Sequence, residues 1–178
     1  MLHTLLSLIA VVVIVFVVLA ATQSSTFRVT RSALIAAPAA VVFAQVNELQ
    51  NWKAWSPWAG IDPNATSRFE GPTEGVGAKM IWVSNVAEVG TGSMTITDSQ
   101  PSATIRFRLD FQKPMRATNT AEFNFQPEGD QTLVSWSMNG TNGFIGKAMS
   151  LVFNCDKMVG GKFEKGLANL KAVVEPKR

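Results

Sequence analysis

The polarity pattern of the chain opens with a long apolar run, because residues 5–21 (LLSLIAVVVIVFVVLAA) contain no charged side chain. As a helix with about 1.5 Å of rise per residue, this run is roughly 26 Å long, near the lower limit for crossing a bilayer. The pattern predicts an N-terminal transmembrane anchor over residues 1–22, in which residues 5–21 lie within the membrane. A short polar linker is predicted over residues 23–27 (QSSTF).

A cleaved secretory signal is the alternative interpretation of the same run. Such a signal has a basic region before its apolar stretch and small residues at its cleavage site. The first four residues, MLHT, contain no Lys or Arg, although Val18 and Ala20 could serve as cleavage positions. The apolar run is also slightly long for a signal, so the pattern favours an uncleaved anchor.

Beyond the linker, most apolar residues alternate with polar ones, which is typical of strands with one buried face. One strand is predicted to end at Pro38, and one or two short helices follow over residues 38–53. Six further stretches then carry strand patterns joined by short turns. The clearest alternation is in ATIRFRLDF (103–111), where every second residue from Ile105 to Phe111 is apolar.

The period changes near the C-terminus, where apolar residues recur every three or four positions, as in an amphipathic helix. These residues are Val159, Phe163, Leu167, Leu170 and Val174. The order of strand, short helices, antiparallel meander and long helix predicts an α+β domain over residues 28–175. Its expected architecture is a curved antiparallel sheet of about seven strands packed on the C-terminal helix, preceded by one transmembrane helix.

The residue types limit the chemistry of this domain. The only histidine is His3, ahead of the apolar run, and the sequence has no tyrosine and one cysteine. A Ser–His–Asp or Cys–His mechanism, a His-ligated metal and an intramolecular disulfide are therefore excluded within the domain. The sequence predicts no metal site, no cofactor and no catalytic residue, and acid–base chemistry would need Asp, Glu or Lys.

Charge gives a weak prediction of the membrane side. Arg28 and Arg31 are the only Lys or Arg residues close to either end of the apolar run. The positive-inside rule therefore weakly favours a single-pass membrane protein with a cytoplasmic C-terminal domain. A secreted or periplasmic domain stays open as the alternative.

Three of the five tryptophans lie within seven positions, in the stretch WKAWSPW (52–58). Trp52, Trp55 and Trp58 could pack as a lid on the core, contact an apolar ligand, or stack on nucleic-acid bases. Base stacking requires interleaved basic residues, and Lys53 is the only one nearby, so no nucleic-acid partner is predicted. Core packing is favoured over ligand contact.

Five stretches in this order resemble the SRPBCC superfamily, the START-like or helix-grip fold, and within it the bacterial polyketide cyclase/dehydrase-like proteins. They are WKAWSPW (52–58), FEGPTEGVGAKMIW (69–82), IRFRLDFQKPM (105–115), FNFQPEGDQTLVSWSM (123–138) and KFEKGLANLK (162–171). The resemblance implies a seven-stranded sheet that grips a long C-terminal helix, with an elongated apolar pocket between them. Members of the family bind lipids, sterols, polyketides or other apolar molecules, and a minority catalyse cyclisation or dehydration.

The resemblance and the apolar row of the sheet together predict a membrane-tethered binding or carrier domain for a hydrophobic small molecule or lipid. The predicted ligand pocket comprises Trp52, Trp55, Trp58, Met80, Trp82, Met94, Ile105, Phe107, Leu109, Phe123, Phe125, Trp136, Met138, Phe163 and Leu167. Met and aromatic side chains on one face favour an adaptable apolar cavity, although core packing explains any single one of them.

Two other functions stay open. One is a polyketide cyclase or dehydratase acting on an apolar substrate, and the other is an interaction scaffold at the membrane that binds no ligand. An enzyme is the less favoured interpretation, because no recognisable set of catalytic residues carries over from the family. Glu70 and Lys79 flank the Gly-rich hairpin and could reach a pocket mouth, although a solvated surface pair is the simpler interpretation.

Overall fold

The structure is a computed structural model that describes residues 2–152 and 155–175. Helix α1 (Leu2–Thr22) is one continuous helix, long and apolar enough to cross a membrane. A core helix of a soluble protein would be buried, whereas the side chains of α1 are exposed along its length apart from Ala20. This length, composition and exposure fit either a membrane span or a signal sequence.

The rest of the described chain forms one seven-stranded antiparallel sheet and four further helices, which confirms the predicted α+β, helix-grip architecture. The strands are β1 (Thr26–Ile35), β2 (Thr66–Glu70), β3 (Lys79–Val83), β4 (Thr91–Gln100), β5 (Thr104–Lys113), β6 (Ala117–Glu128) and β7 (Gln131–Thr141). The helices are α2 (Ala39–Asn47), α3 (Trp52–Trp55), α4 (Phe144–Val152) and α5 (Cys155–Val174), and a 3₁₀ turn (Leu49–Asn51) joins α2 to α3. The strand order is β1-β7-β6-β5-β4-β3-β2, and β1 begins at Thr26, inside the stretch predicted as a linker.

Alternation along the strands gives the sheet an inner face that is almost wholly apolar. One row across β1, β7, β6 and β5 contains Arg31, Trp136, Phe123 and Ile105. The next row towards the start of β1 contains Val29, Met138, Ala121 and Phe107. Helices α2 and α5 pack on this face, and α3 packs on α5, so the core lies between the sheet and these three helices.

The two ends of the sheet carry different elements. One end, the anchor-proximal end, has the start of β1, the β3–β4 loop (84–90), the β5–β6 turn (114–116) and helix α4. The opposite, distal end has the β2–β3 hairpin (71–78) and the β6–β7 turn. Helix α5 begins near the anchor-proximal end and finishes at the distal end, where Lys171 Nζ donates a hydrogen bond to the Leu34 carbonyl (3.0 Å).

Helix α4 has no counterpart among the elements predicted from the sequence. It follows β7 directly and packs beside α1, and none of its residues is buried. Its stretch, FIGKAMSLV, is short and contains a glycine. Periodicity over so few residues does not separate a helix from a loop, which explains why the element was missed.

Candidate functional site

The space between the sheet and α5 contains aromatic rings in direct contact, which we call the aromatic cluster. Trp136 of β7 stacks on Phe163 of α5, with ring centroids 4.1 Å apart, and on Phe123 of β6 at 4.7 Å. Trp52 meets Phe107 of β5 edge-on at 5.5 Å. Such pairs contribute about 0.5–1.5 kcal/mol each beyond the area they bury. The cluster therefore fills this part of the predicted pocket with the protein's own side chains.

The tryptophan stretch supplies one wall of the aromatic cluster. Trp52 Nε1 donates a hydrogen bond to the Val46 carbonyl (3.0 Å), and Trp55 Nε1 donates one to the Gln45 carbonyl (3.2 Å). Helix α5 is joined to the same stretch by Asn169, whose Nδ2 donates to the Trp55 carbonyl (3.1 Å). Both indoles are buried with their polar ends paired, which supports the interpretation of this stretch as a packed lid.

The fifteen residues predicted to line a ligand pocket divide into two groups by burial. The buried group comprises Trp52, Trp55, Met94, Ile105, Phe107, Phe123, Phe125, Trp136, Met138, Phe163 and Leu167. The half-buried group comprises Trp58, Met80, Trp82 and Leu109. The buried group packs within the hydrophobic core, and ligand contact by any of the fifteen stays a prediction.

Several half-buried apolar residues lie together on the inner face towards the anchor-proximal end. Met80 and Trp82 are on β3 and Leu109 is on β5, and both strands pair with β4. Phe27 near the start of β1 and Phe111 near the end of β5 are half-buried too. We call these five side chains the proximal apolar face. Unlike the aromatic cluster, this face keeps apolar surface in contact with solvent.

Trp82 is held in one orientation on the proximal apolar face. Its ring lies over Gly92 of β4, where a Cβ atom would come within 2.7 Å of Trp82 Cζ2. Its Nε1 donates a hydrogen bond to the Val89 carbonyl (3.1 Å), and its ring meets Phe111 edge-on at 5.9 Å. The indole therefore presents a fixed, flat apolar surface next to the β3–β4 loop.

Two sets of ion pairs hold the first half of α5 across the sheet. On β1, Arg31 binds Asp156 (2.8 Å) and Glu164 (2.6 Å) of α5. Lys162 of α5 forms an ion pair with Glu88 in the β3–β4 loop. Helix α5 thus reaches from the first strand to the loop that bonds Trp82, and it borders the proximal apolar face.

Acidification is expected to weaken the Arg31 ion pairs. The hydrogen bond from Arg31 lowers the pKa of Asp156, and the hydrogen bonds to Asp156 and Glu164 raise the pKa of Arg31. A carboxyl group with a lowered folded-state pKa stabilises the fold above its unfolded pKa, and this contribution is lost as the pH falls through the folded value. We therefore expect Arg31→Met to lower the melting temperature at neutral pH, by a difference that shrinks below about pH 4. Thermal melts of both proteins across that range measure it, and a constant difference would contradict the ion-pair origin.

Two buried polar atoms on the inner face have no hydrogen-bond partner within the described chain, Asn119 Oδ1 and Trp136 Nε1. Asn119 is on β6, opposite Leu109 of β5, and so lies next to the proximal apolar face. Its Nδ2 makes a long contact with Met138 Sδ (3.9 Å). The Asn119 carbonyl oxygen is thus a buried, unpaired acceptor that lies over Gly140 beside the Phe27 ring.

No Asp, Glu, Lys or Arg is buried in the part of the chain that the structure describes. Glu70 and Lys79 form an exposed ion pair (3.4 Å), and Glu70 also binds Arg68 (2.7 Å). A cavity of about 200 Å³ lies beside this hairpin and includes Lys79 in its lining. A second cavity, of about 470 Å³, lies around Arg28 at the anchor-proximal end of β1, β6 and β7. No catalytic group can therefore be assigned among the described residues.

Comparison with known proteins identifies the family to which the chain belongs. The family described as "Polyketide cyclase / dehydrase and lipid transport" matches residues 26–175, a range that includes the whole sheet and α5. The chain belongs to this family. Membership of the polyketide cyclase/dehydrase family confirms the resemblance found in the sequence, and it leaves both enzymatic and non-enzymatic roles open. None of the curated proteins compared with the chain matches it.

Solved structures of the same fold come from proteins of low sequence identity. Protein CV1439 from Chromobacterium violaceum is 16% identical with a TM-score of 0.60, over 86% of this chain and 99% of that chain. The Aha1 dimer from Colwellia psychrerythraea is 16% identical with a TM-score of 0.57, over 84% of this chain and 96% of that chain. The di-domain ARO/CYC BexL from the BE-7585A biosynthetic pathway is 17% identical with a TM-score of 0.62, over 91% of this chain and 54% of that chain. At these identities the likeness shows the fold alone.

Phe27, Phe111 and Asn119 were not among the predicted site residues. Phe111 continues the alternation that includes Leu109, and Phe27 precedes Val29 at the same spacing. Both could have been found by following the inward positions of each strand to its end. Asn119 could not, because a polar residue at an inward position reads as a break in the apolar pattern.

Proposed function

We propose that this chain is a membrane-tethered binding or carrier domain for an apolar small molecule or lipid, with α1 as the tether. The observation that carries the proposal is the proximal apolar face, which stays half-exposed at the end of the sheet that α1 joins. The aromatic cluster closes the rest of the inner face, so the ligand binds at this end rather than beneath Trp136. The description of the family includes lipid transport, which agrees with this role.

Binding on this face is favourable without any catalytic group. Removing apolar surface from water contributes about 25 cal/mol per Å², so a ligand that covers several large side chains gains several kcal/mol. An open face also lets a carrier release its ligand, since exchange requires no rearrangement of the aromatic cluster. With α1 in a bilayer, the proximal apolar face lies at the end of the sheet nearest the lipids.

Asn119 adds one polar contact to the proposed site. Ligand sites combine a mainly apolar lining with a few polar groups that fix the ligand's orientation. The unpaired Oδ1 of Asn119, opposite Leu109, lies beside the Phe27 ring, and a ligand that moves this ring aside donates a hydrogen bond to it. The preferred ligand therefore has an extended apolar part and a hydroxyl group, as in a long-chain alcohol or a sterol.

Transfer of a pyrene-labelled fatty alcohol between vesicles tests the proposal. The full chain is inserted in donor vesicles through α1, and the loss of pyrene excimer fluorescence reports movement to acceptor vesicles. We expect the wild type to accelerate transfer and Leu109→Asp to abolish the acceleration, because an unpaired carboxylate on the apolar face opposes ligand burial. Gln112→Asp is the matched control, since it adds the same charge to an exposed position three residues further along β5.

Two results would contradict the proposal. Transfer that the wild type does not accelerate would argue against a carrier. Equal acceleration by the wild type and Leu109→Asp, at matched amounts of folded protein in the vesicles, would place the ligand elsewhere. Circular dichroism melts of the two variants show whether a loss of transfer reflects a loss of fold.

A further inference from the structure

Helix α4 exposes an apolar side. Ile145, Ala148, Met149 and Val152 recur at i, i+3, i+4 and i+7, the spacing that places four side chains on one side of a helix. Ile145 is 66% exposed and Val152 is 68% exposed. Lys147 lies on the opposite side of the helix, by the same periodicity. The helix is therefore amphipathic, with its apolar side open.

Further exposed apolar side chains lie at the same end of the sheet. Met115 in the β5–β6 turn is 49% exposed, and Met158 in the first turn of α5 is 63% exposed. Helix α4 packs beside α1, which ends at Thr22, just before β1 begins. If α1 spans a bilayer, α4 and the β5–β6 turn lie at the level of the membrane surface.

The connections at the two ends of the sheet differ in charge. Lys113 precedes the β5–β6 turn, Arg116 lies within it, and Lys147 is on α4, all at the anchor-proximal end. At the distal end, Glu128 is the last residue of β6 and Asp130 lies in the β6–β7 turn. The fold thus brings basic side chains from separate parts of the chain to the end that α1 joins.

We propose that α4 and residues 113–116 form a docking surface for the anionic headgroups of the bilayer that holds α1. The apolar side of α4 enters the interface between headgroups and acyl chains, and the three basic side chains contact lipid phosphates. The inference rests on the proposed tethering by α1 and adds an orientation to it. The anchor-proximal end faces the membrane, so the proximal apolar face opens towards the lipids.

Two observations select a bilayer as the occupant of this surface. An exposed apolar helix side by itself also suits a protein partner. Here the surface is continuous with α1 through the packing of α4 beside it. Its charge is also complementary to anionic lipids, because its three charged side chains are all basic. Glu88, the acidic residue of the neighbouring β3–β4 loop, forms an ion pair with Lys162.

Depth-dependent quenching tests the docking surface in the full chain. In a Cys155→Ser background, Ile145→Cys carries an NBD fluorophore, and the protein is reconstituted in phosphatidylcholine–phosphatidylglycerol vesicles with a nitroxide group near the lipid headgroups. We expect blue-shifted, quenched emission from this position. The matched control is Asp130→Cys with the same label at the distal end, where we expect no quenching.

Charge variants and flotation give the remaining outcomes. Replacing Lys113, Arg116 and Lys147 with glutamine is expected to reduce the ratio of docked to undocked protein by about fivefold per charge. A chain that floats with the vesicles but shows no quenching at position 145, or equal quenching at positions 145 and 130, overturns the docking surface and leaves the tether intact. Quenching that the three substitutions do not change overturns the role of anionic headgroups. A chain that does not float overturns both the tether and the docking surface.

Discussion

Replacing Trp136 with alanine is expected to lower the free energy of unfolding by about 3–5 kcal/mol, the range for large aromatic side chains removed from a core. Trp136 is 3% exposed, and its ring contacts Phe163 and Phe123 by stacking and Trp52 edge-on. The change removes contacts to the sheet, the tryptophan stretch and α5 together. Because strands pair on both sides of β7, the backbone cannot collapse into the space. Urea unfolding followed by circular dichroism measures the loss.

Two phenylalanine variants separate packing from hydrogen bonding in the aromatic cluster. Trp136→Phe removes an N–H group that has no partner among the described residues, whereas Trp52→Phe leaves the Val46 carbonyl without its donor. An unpaired buried polar group costs about 1–3 kcal/mol, so Trp52→Phe is expected to destabilise the protein more. A loss below about 0.5 kcal/mol for Trp136→Ala, the size of a surface substitution, would contradict a filled core at this position.

The strands and α5 could be predicted because their side-chain periods differ. A run such as Ile105 to Phe111 repeats every second residue, and that period fits a half-buried strand but not a helix. The spacing of Phe163, Leu167 and Leu170 fits one face of a helix, and all three are buried against the sheet side. Strands β2 to β7 follow one another through short connections and lie side by side in that order, as an antiparallel meander predicts, whereas the pairing of β1 with β7 was not predicted.

The division of the inner face into a filled part and an open part could not be predicted. An apolar side chain that packs in a core and one that lines a ligand pocket have the same character in the sequence. Phe107 and Leu109 both face inwards from β5, and they differ in their distance from the elements above the sheet: Trp52 covers Phe107, whereas Leu109 stays half-buried. That distance depends on side-chain volumes from several elements at once, and no periodicity reports it.

Long-range charge pairing was equally hidden. In the sequence, Arg31 counts as a basic residue near the membrane, yet in the structure it binds Asp156 and Glu164 of α5. Conversely, Lys113 and Lys147 are remote from the apolar run in sequence, and the fold places them at its end of the sheet. The fold therefore sets which basic side chains lie at the end of the sheet that α1 joins, and counting residues along the chain does not find Lys113 and Lys147 there.

Gly166→Ala in α5 is expected to lower the free energy of unfolding by about 1–3 kcal/mol, the cost of overpacking a filled core. A Cβ atom at this position would lie 2.7 Å from Trp136 Cζ3 and 3.0 Å from Pro57 Cδ. Trp136 is held between stacked rings, and Pro57 is buried, so neither has room to move away. Helix α5 would have to withdraw from the sheet. Equilibrium unfolding in urea measures the change.

Gly161→Ala is the matched control, because it makes the same substitution in the same helix where an added Cβ meets nothing within 4 Å. Alanine favours a helix over glycine by about 0.5–1 kcal/mol, so this variant is expected to be more stable than the wild type. Opposite signs at the two positions would establish tight contact between α5 and the aromatic cluster. Stabilisation at both positions would show that α5 can move away from Trp136 at little cost. The space beneath Trp136 would then be part of the proposed ligand site, together with the proximal apolar face.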